Sequence, residues 1–209
     1  MNEHQVSNNF INRYINQNIK PTTTEVRQIK RESHKLTDAL FWCIYNIIYP
    51  NNIIKNYFIE EKKVKFKWME LIKQNKELYK KYILIQPFLI CHNKINIPTV
   101  DAICHLFNIS IILLNDSTYI YLNKTDTKPI FIKNTDNKYI VLKDETYENI
   151  VNNYLCIDDY KKLIYAKSRY KVHELKLMAL KLCIEVRNKK KNDIYEDINN
   201  KLKLIYLNI

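Results

Sequence analysis

ISIILLNDSTYIYLNKTDTKPIFIKNTDNKYIVL, residues 109–142, is the stretch that decides the fold. It contains four apolar or alternating runs, ISIILL, YIYLN, KPIFIK and KYIVLK, with Asn, Asp, Thr and Pro between them. This pattern is typical of β-strands joined by turns. The Asn-Asp pair at 115–116 predicts a hairpin between the first two runs. The four runs together predict an antiparallel meander.

Helical patterns precede these strands. TDALFWCIYNIIYP, residues 37–50, predicts a helix over about Thr37–Tyr49 that stops before Pro50. A second helix is predicted over about Lys62–Leu84, with a strongly basic polar face. A third, VDAICHLFN, is expected to be capped by Thr99. Helices followed by strands predict an α+β fold, with helices packed on a small antiparallel sheet.

Two amphipathic segments close the chain, over about Val172–Cys183 and Asp193–Leu204. Helices of this length bury little by themselves, so we expect them to pack on each other as a two-helix hairpin. The predicted organisation is therefore a flexible basic arm at 1–35, an α+β domain at 36–155, a linker at 156–169 and the hairpin at 170–209.

The composition excludes several classes of enzyme. The 209 residues include no glycine, which rules out the glycine-rich phosphate loops of kinases and P-loop NTPases and the dinucleotide fingerprint of Rossmann dehydrogenases. Turns must rest on Asn and Asp instead, since these tolerate left-handed backbone. The richness in Asn, Ile and Lys is typical of an AT-rich genome, such as that of a large DNA virus or a parasite.

The charge balance favours an anionic partner. Lysine and arginine number 34 against 22 acidic residues, a formal net charge of +12. Nucleic acid is the commonest partner of such a protein. The alternative is a lysine-rich solvated surface that follows from codon bias.

The cysteines support neither a disulfide framework nor a zinc site, because they are odd in number and never spaced as CxxC pairs. They are Cys43, Cys91, Cys104, Cys156 and Cys183. The chain has no 18-residue apolar segment, and its start lacks the apolar core of a signal peptide. We therefore expect an intracellular protein of a reducing compartment, in host cytoplasm, virus factory, nucleus or virion, without metal, cofactor or membrane partner.

Cys43 is the candidate nucleophile. It lies on the apolar helix that opens at Thr37 or Asp38, and a helix N-terminus lowers the pKa of a nearby thiol. Cys43 is a full turn deeper, however, so two interpretations stay open. It is either a nucleophile or a small buried hydrophobe.

A cysteine nucleophile needs a base within hydrogen-bond reach. His92 ends the apolar run FLICH where a loop begins, and it is the candidate base. His105, inside AICHLF, is interpreted as a packed helix residue. His34 precedes the first helix and could approach its N-terminus.

The succession of helix, buried strand, hairpin and strand over residues 96–147 resembles the second half of an ovarian-tumour (OTU) type cysteine protease. In that family a His-Tyr pair follows the last strand; here Tyr147 matches the tyrosine and Thr146 stands at the histidine's place. The Cys-Leu-Phe part of the family's Asp-Gly-Asn-Cys-Leu-Phe motif can be aligned with residues 39–41, which loses the nucleophile, or with residues 43–45, which keeps the sulfur. Both alignments lose the aspartate. The resemblance implies a catalytically degenerate papain-like domain that binds a protein, such as a ubiquitin-like partner.

YKVHELKLMALKLCIEVRNKKKNDIYEDINNKL, residues 170–202, resembles the SAP and Rho-N-terminal class of helix-extended-helix modules, which bind nucleic acid. The resemblance implies core positions for Val172, Leu175, Leu182, Ile194 and Ile198. The family's glycine before the turn is absent, and the second helix carries three acidic residues. The alternative is a hairpin that only docks on the main domain, with its lysines in water.

Phosphate contacts are expected from the basic residues of this module. The cluster before the second helix lies where backbone N–H groups also face outward, and both features attract phosphate. The predicted nucleic-acid-binding residues, with DNA favoured over RNA, are Lys171, Lys176, Arg187, Lys189, Lys190 and Lys191.

The phrase DALFWCIY is similar to a motif of uncharacterised proteins of large DNA viruses. The sequence thus predicts a viral accessory protein with a degenerate OTU-like domain, tethered to nucleic acid by its SAP-like hairpin. Two alternatives stay open: an active cysteine protease or deubiquitinase that uses Cys43, and a purely structural virion protein.

Overall fold

The computed structural model describes residues 38–136 and 138–206. The arm predicted at 1–35, with His34, lies outside the described residues. Thr37–Ile209 group into one compact unit. Within it the predicted boundaries at 155, 169 and 170 stay a prediction.

Eight α-helices lie within the described residues. Five of them begin at an Asp, Asn or Thr whose side chain accepts a hydrogen bond from the backbone N–H three residues on. The helices are α1 (Ala39–Ile48), α2 (Tyr57–Gln74), α3 (Lys76–Lys81), α4 (Gln86–Ile90), α5 (Ile97–Phe107), α6 (Tyr147–Asn153), α7 (Val172–Lys181) and α8 (Lys191–Tyr206). Short 3₁₀ turns lie at Ile83–Ile85 and Lys167–Arg169.

Three predicted helix boundaries are wrong, and in each case an asparagine cap explains the difference. The helix predicted to begin at Lys62 begins at Tyr57, because the Asn56 side chain accepts from Ile59 N at 3.1 Å. The helix predicted to run on to Leu84 ends at Gln74, because the Asn75 side chain accepts from Leu78 N at 3.1 Å and starts α3. The cap of α5 is Asn96, whose Oδ1 accepts from Thr99 N at 3.1 Å, and not Thr99 itself.

A five-stranded mixed sheet forms the other half of the α+β fold. Its strands are β1 (Ile111–Asn115), β2 (Thr118–Leu122), β3 (Ile130–Thr135), β4 (Lys138–Leu142) and β5 (Leu155–Cys156). The order across the sheet is β4-β3-β1-β2-β5. β1 and β2 form the predicted antiparallel hairpin, with Asn115 opposite Thr118.

The predicted antiparallel meander is wrong, because β3 pairs with β1 in parallel and β5 pairs with β2 in parallel. Residues 123–129 cross the start of β1, held there by Asn123, whose Nδ2 donates to Cys104 O and Ile109 O at 3.0 Å each. The apolar run of β1 is buried on both faces. A strand of that kind is suited to the centre of a sheet, with a neighbour on each side.

The sheet has one face covered by α6 and one covered by α1 and α5. On the first, Ile112, Leu114, Tyr119 and Phe131 form a cluster with Ile150 of α6. Side chains alternate along a strand, so their neighbours in sequence point to the opposite face. There α1 packs against β4 and α5 packs against β2.

Left-handed backbone occurs without glycine, as the sequence predicted. Six described residues have φ between 46° and 59°, and five of them are Asn or Asp. They are Asn108, Asp116, Asn123, Asp136, Cys183 and Asn188.

Candidate functional site

Cys43 lies in the middle of α1, on a face packed into the core. The helix is capped by Asp38, whose Oδ1 accepts from Phe41 N at 3.0 Å. Cys43 is 9% exposed and lies between buried neighbours such as Trp42 and Ile44. A nucleophile must meet its substrate, so this burial favours the packing role over the catalytic one.

A buried ion cluster occupies the N-terminus of α1. The Lys65 ammonium donates to Asp38 Oδ2 and Glu61 Oε1 at 2.8 Å each, and to Asn93 O at 3.4 Å. Asp38 Oδ2 also accepts from Ile95 N at 2.7 Å. All three ammonium hydrogens therefore have acceptors, as a buried charge requires.

His92 lies close in sequence to this cluster, but its ring is held elsewhere. The loop after it reaches the N-terminus of α1 through the Asn93 and Ile95 contacts. The imidazole itself stacks on the Phe88 ring, with centroids 4.5 Å apart, and His92 is exposed. The structure thus brings the two predicted catalytic segments together while the imidazole rests on α4.

Tyr139 of β4 is a neighbour of Cys43 that sequence reasoning missed. Burial raises the pKa of Tyr139 to about 12, and the nearby charges of Asp38 and Cys43 add to the shift. Tyr139 pairs with Asn134, three positions along β4 from the pair of Leu142 with Phe131. Because side chains alternate along a strand, Tyr139 points to the opposite face from Leu142, which is the face that α1 covers. A tyrosine in an alternating strand gave no signal of this placement.

Thr146 and Tyr147, the positions aligned with the OTU His-Tyr pair, lie on the other side of the sheet. Thr146 caps α6, its Oγ1 accepting from Asn149 N at 3.3 Å. The Tyr147 ring packs near that of Tyr121, with centroids 5.9 Å apart. Since α6 and α1 cover opposite faces, neither residue is placed to serve Cys43.

A second polar cluster surrounds His105, and it too was missed. Tyr82 Oη and Tyr160 Oη donate to Asp101 Oδ2 at 2.7 and 3.2 Å. His105 Nδ1 lies 2.8 Å from Asp101 O and 3.4 Å from Asp101 Oδ1. Lys81 Nζ lies 3.2 Å from His105 Nε2. The four-residue spacing of Asp101 and His105 on one helix face was the available signal.

The charges of this cluster perturb one another. The hydrogen bond that His105 donates to the Asp101 carboxylate raises the pKa of His105, against burial and the charge of Lys81. Burial acts to raise the pKa of Asp101, but the hydrogen bonds that Asp101 accepts from His105 and Tyr82 outweigh this effect, and the pKa of Asp101 is lowered. Burial, and then the Asp101 carboxylate, raise the pKa of Tyr82 and Tyr160. The cluster joins α5 to the connector that leads to the C-terminal helices.

The C-terminal helix pair, α7 and α8, has the apolar contacts expected from sequence, with one exception. Leu175, Leu182, Ile194 and Ile198 are buried. Val172, predicted as a core position, is 44% exposed because it is the first residue of α7 and lies at the outer end of the pair.

Both helices of the pair run in the same direction. At their starts, Lys167 Nζ donates to Asn192 Oδ1, and Tyr195 Oη donates to Tyr165 O at 2.9 Å. At their ends, Lys181 donates to Tyr154 O at 3.2 Å, while the last turn of α8 meets the start of β2 through Tyr206 and Thr118, 3.0 Å apart. Residues 183–190, which include a turn at 187–188, return the chain from the end of α7 to the start of α8. The C-terminal end of α7 therefore docks on the end of α6, and that of α8 docks on β2. The two N-terminal ends lie together at the far side.

The predicted nucleic-acid-binding residues gather mainly at this far side. Lys171 precedes α7, and Lys189, Lys190 and Lys191 lead into α8. All six predicted positions are exposed except Lys191, which is half-buried. Lys176 and Arg187 lie further along α7 and the return segment.

Acidic residues offset part of this charge. Lys189 forms an ion pair with Asp197 at 2.7 Å. Glu174 Oε2 accepts from Lys171 N at 2.5 Å, and Asp193 Oδ2 accepts from Lys190 N at 3.2 Å. Residues 161–206 nevertheless hold thirteen lysines and arginines against five acidic residues, so they carry +8 of the net +12.

No protein-family profile matches this chain, and no curated protein or solved structure was found to be similar to it. Within residues 38–136 and 138–206, no helix is both long and apolar enough to cross a membrane. Across the same residues, no group of three His, Cys, Asp or Glu side chains is arranged to hold a metal ion.

Proposed function

We propose that the protein binds nucleic acid through the N-terminal ends of its C-terminal helix pair, and that its α+β body is a non-catalytic, OTU-like protein-binding domain. One observation carries the proposal: two parallel helices present their N-termini together, with Lys171, Lys190 and Lys191 at those ends.

Phosphate fits this end of the pair for two physical reasons. A helix N-terminus carries partial positive charge and outward N–H groups, and here two such ends add. The lysines supply mobile cations that replace condensed counterions on the backbone. Contacts of this kind position a protein on the backbone and read little sequence. Duplex DNA is the preferred partner, as the resemblance to SAP modules implies.

The test compares two charge-matched variants of the same helix. Lys190→Gln with Lys191→Gln neutralises the start of α8, while Lys201→Gln with Lys203→Gln neutralises its last turns. Fluorescence anisotropy of a labelled DNA duplex is measured between about 50 and 200 mM salt. The first variant should bind more weakly and reduce the salt slope by about 1.8, that is 0.9 for each lost phosphate contact.

The second variant should keep the wild-type affinity and slope, because Lys201 and Lys203 lie at the opposite end of α8 from the proposed interface. Equal weakening by both variants would mean that only net charge matters, and the proposed interface would be withdrawn. No binding by the wild-type chain at low salt would end the nucleic-acid proposal altogether.

The non-catalytic part rests on the surroundings of Cys43. Its side chain is packed in the core, the helix start nearest to it holds the Asp38–Lys65 pair, and the His92 ring stacks on α4. A thiol in this setting lacks the access to substrate that thiol catalysis needs. The same domain could bind a ubiquitin-like partner without cleaving it.

A ubiquitin-derived suicide probe tests this part. We expect no covalent labelling of the wild-type chain, and an unchanged result with Cys43→Ala. Labelling that disappears in Cys43→Ala would establish the alternative, an active cysteine protease or deubiquitinase. A virion protein with a purely structural role would show neither DNA binding nor capture of ubiquitin.

A further inference from the structure

The outer surface of α2 combines aromatic and cationic side chains in an unusual way. Of residues 57–67, seven are exposed, and each of these is either lysine, aromatic or isoleucine: Tyr57, Phe58, Ile59, Lys62, Lys63, Phe66 and Lys67. The two acidic residues in the same stretch are buried or half-buried. The inner side of the helix packs its own apolar residues, such as Trp68 and Ile72, into the core. The outer apolar groups are thus additional to those that hold the fold together.

Aromatic exposure here is large. Phe58 is 63% exposed and Phe66 is 56% exposed. Ile59, on the same helix face as Phe66, is 61% exposed. Exposed apolar side chains grouped in this way mark interaction sites.

One lysine lies between the two rings, and two more lie together beside them. With about 100° between successive helix residues, the order around α2 is Phe58, Lys62, Phe66, Ile59, Lys63, Lys67. The Lys62 ammonium lies over the Phe58 ring, 4.4 Å from its centroid. A cation is therefore already held beside a ring that is open to solvent.

We propose that this aromatic-lysine surface binds single-stranded nucleic acid, with bases stacked on Phe58 and Phe66 and phosphates on Lys62, Lys63 and Lys67. Base stacking needs a ring face, and the backbone beside each base needs a cation. The surface supplies both, with Lys62 between the rings and Lys63 and Lys67 beside them. A base that stacks on Phe58 displaces the Lys62 ammonium from the ring towards the adjoining phosphate.

The dimensions suit a short stretch of strand. The two phenylalanines are eight positions apart in the helix, so their rings lie about 12 Å apart along the axis. A stacked strand rises about 3.4 Å per nucleotide, which puts about three to four nucleotides between the rings.

An anionic membrane is the competing partner, and the arrangement of charges argues against it. Helices that lie in a membrane interface separate an apolar face from a charged face. Here Lys62 lies between Phe58 and Phe66 on the same line, so inserting both rings would pull its ammonium into the apolar layer. This inference does not depend on the helix pair, which lies on other elements and binds duplex backbone.

The experiment uses the full chain and the variant Phe58→Leu with Phe66→Leu. Leucine keeps apolar area but removes the ring, and both sites are exposed, so the fold should hold; circular dichroism and the urea midpoint verify this. The probe is a labelled oligodeoxythymidine of about 8 nucleotides, measured by anisotropy. We expect the variant to bind at least about tenfold more weakly, and Lys62→Gln to show a smaller loss.

The control is Lys190→Gln with Lys191→Gln, which should retain most of the binding to this short probe while losing duplex binding. Loss of duplex binding tests the helix pair, and loss of oligonucleotide binding tests the surface of α2, so the two proposals can fail separately. Equal affinity of the leucine variant and the wild type for the oligonucleotide would overturn the inference. The inference would also be overturned if the wild type and the leucine variant both bound phosphatidylcholine–phosphatidylserine vesicles. It would likewise be overturned if sedimentation showed a dimer of the wild type that Phe58→Glu dissociates.

Discussion

Replacing Lys65 by methionine should destabilise the protein far more than an ordinary lysine substitution. The Lys65 side chain is 4% exposed, and its ammonium pairs with the carboxylates of Asp38 and Glu61, whose side chains are 1% and 11% exposed. Methionine keeps the length of the side chain but leaves both carboxylates without their cation. Removing one partner of a buried ion pair typically costs about 3 to 5 kcal/mol. That is a large share of the roughly 5 to 15 kcal/mol that stabilise a typical domain.

Urea denaturation followed by circular dichroism measures this loss. With a slope of about 2 kcal/mol per molar urea, the midpoint should fall by about 1.5 to 2.5 M. Lys67→Met, two residues along the same helix but exposed, is the matched control and should change the free energy of unfolding by less than about 0.5 kcal/mol. Adding Asp38→Asn and Glu61→Gln to Lys65→Met should recover part of the loss, since no charge then stays buried. If Lys65→Met and Lys67→Met behave alike, the buried cluster does not organise the N-terminus of α1.

Three further outcomes follow from the described contacts. Because Asp101 raises the pKa of His105, the charged pair stabilises the fold below the ordinary histidine pKa, and this stabilisation is lost as the pH rises through the raised pKa. His105→Gln should therefore lower the free energy of unfolding more at about pH 5.5 than at about pH 8.5, as measured by urea denaturation. An equal loss at both pH values would contradict this prediction. In the native protein, a thiol reagent such as Ellman's reagent should modify the exposed Cys91 quickly and the buried Cys43 only after unfolding. Peptide mass mapping identifies the modified residues. Comparable rates at the two cysteines would rule out the packing role of Cys43. Ile198→Ala, which empties a buried site between α7 and α8, should lower the free energy of unfolding by about 2 to 5 kcal/mol in calorimetry or denaturant titration, and a loss under about 1 kcal/mol would mean that the helix pair is not firmly packed.

Local pattern was sufficient to predict most elements of the fold. Apolar spacing and turn residues located α1, α5 and the β1–β2 hairpin, because a helix or a two-strand turn is determined by residues close together in the chain. The same holds for Asn and Asp at the left-handed positions. The predicted pairing of β3 was wrong, since nothing within the run KPIFIK distinguishes a strand that pairs with β2 from one that crosses to β1.

The candidate sites were harder to predict. Cys43 and His92 were selected by residue type and helix position, and the structure brings their segments to the same helix end. The residues found at that helix end are Lys65 and Tyr139. In the sequence, Lys65 cannot be told apart from the other lysines of its helix, and Tyr139 belongs to a distant strand. Their roles depend on contacts between segments 27 or more residues apart.

The amino-acid sequence alone determined the α+β class, the positions of most helices, the use of Asn and Asp in place of glycine, and the concentration of positive charge towards the C-terminus. These properties are short-range or additive, so they can be read along the chain. Tertiary structure alone decided that β3 lies beside β1, that a buried lysine fills the N-terminus of α1, and that α7 and α8 point the same way. Those outcomes depend on which apolar surfaces can be buried together and which buried charges find partners, and both are properties of segments that meet only when the chain is folded.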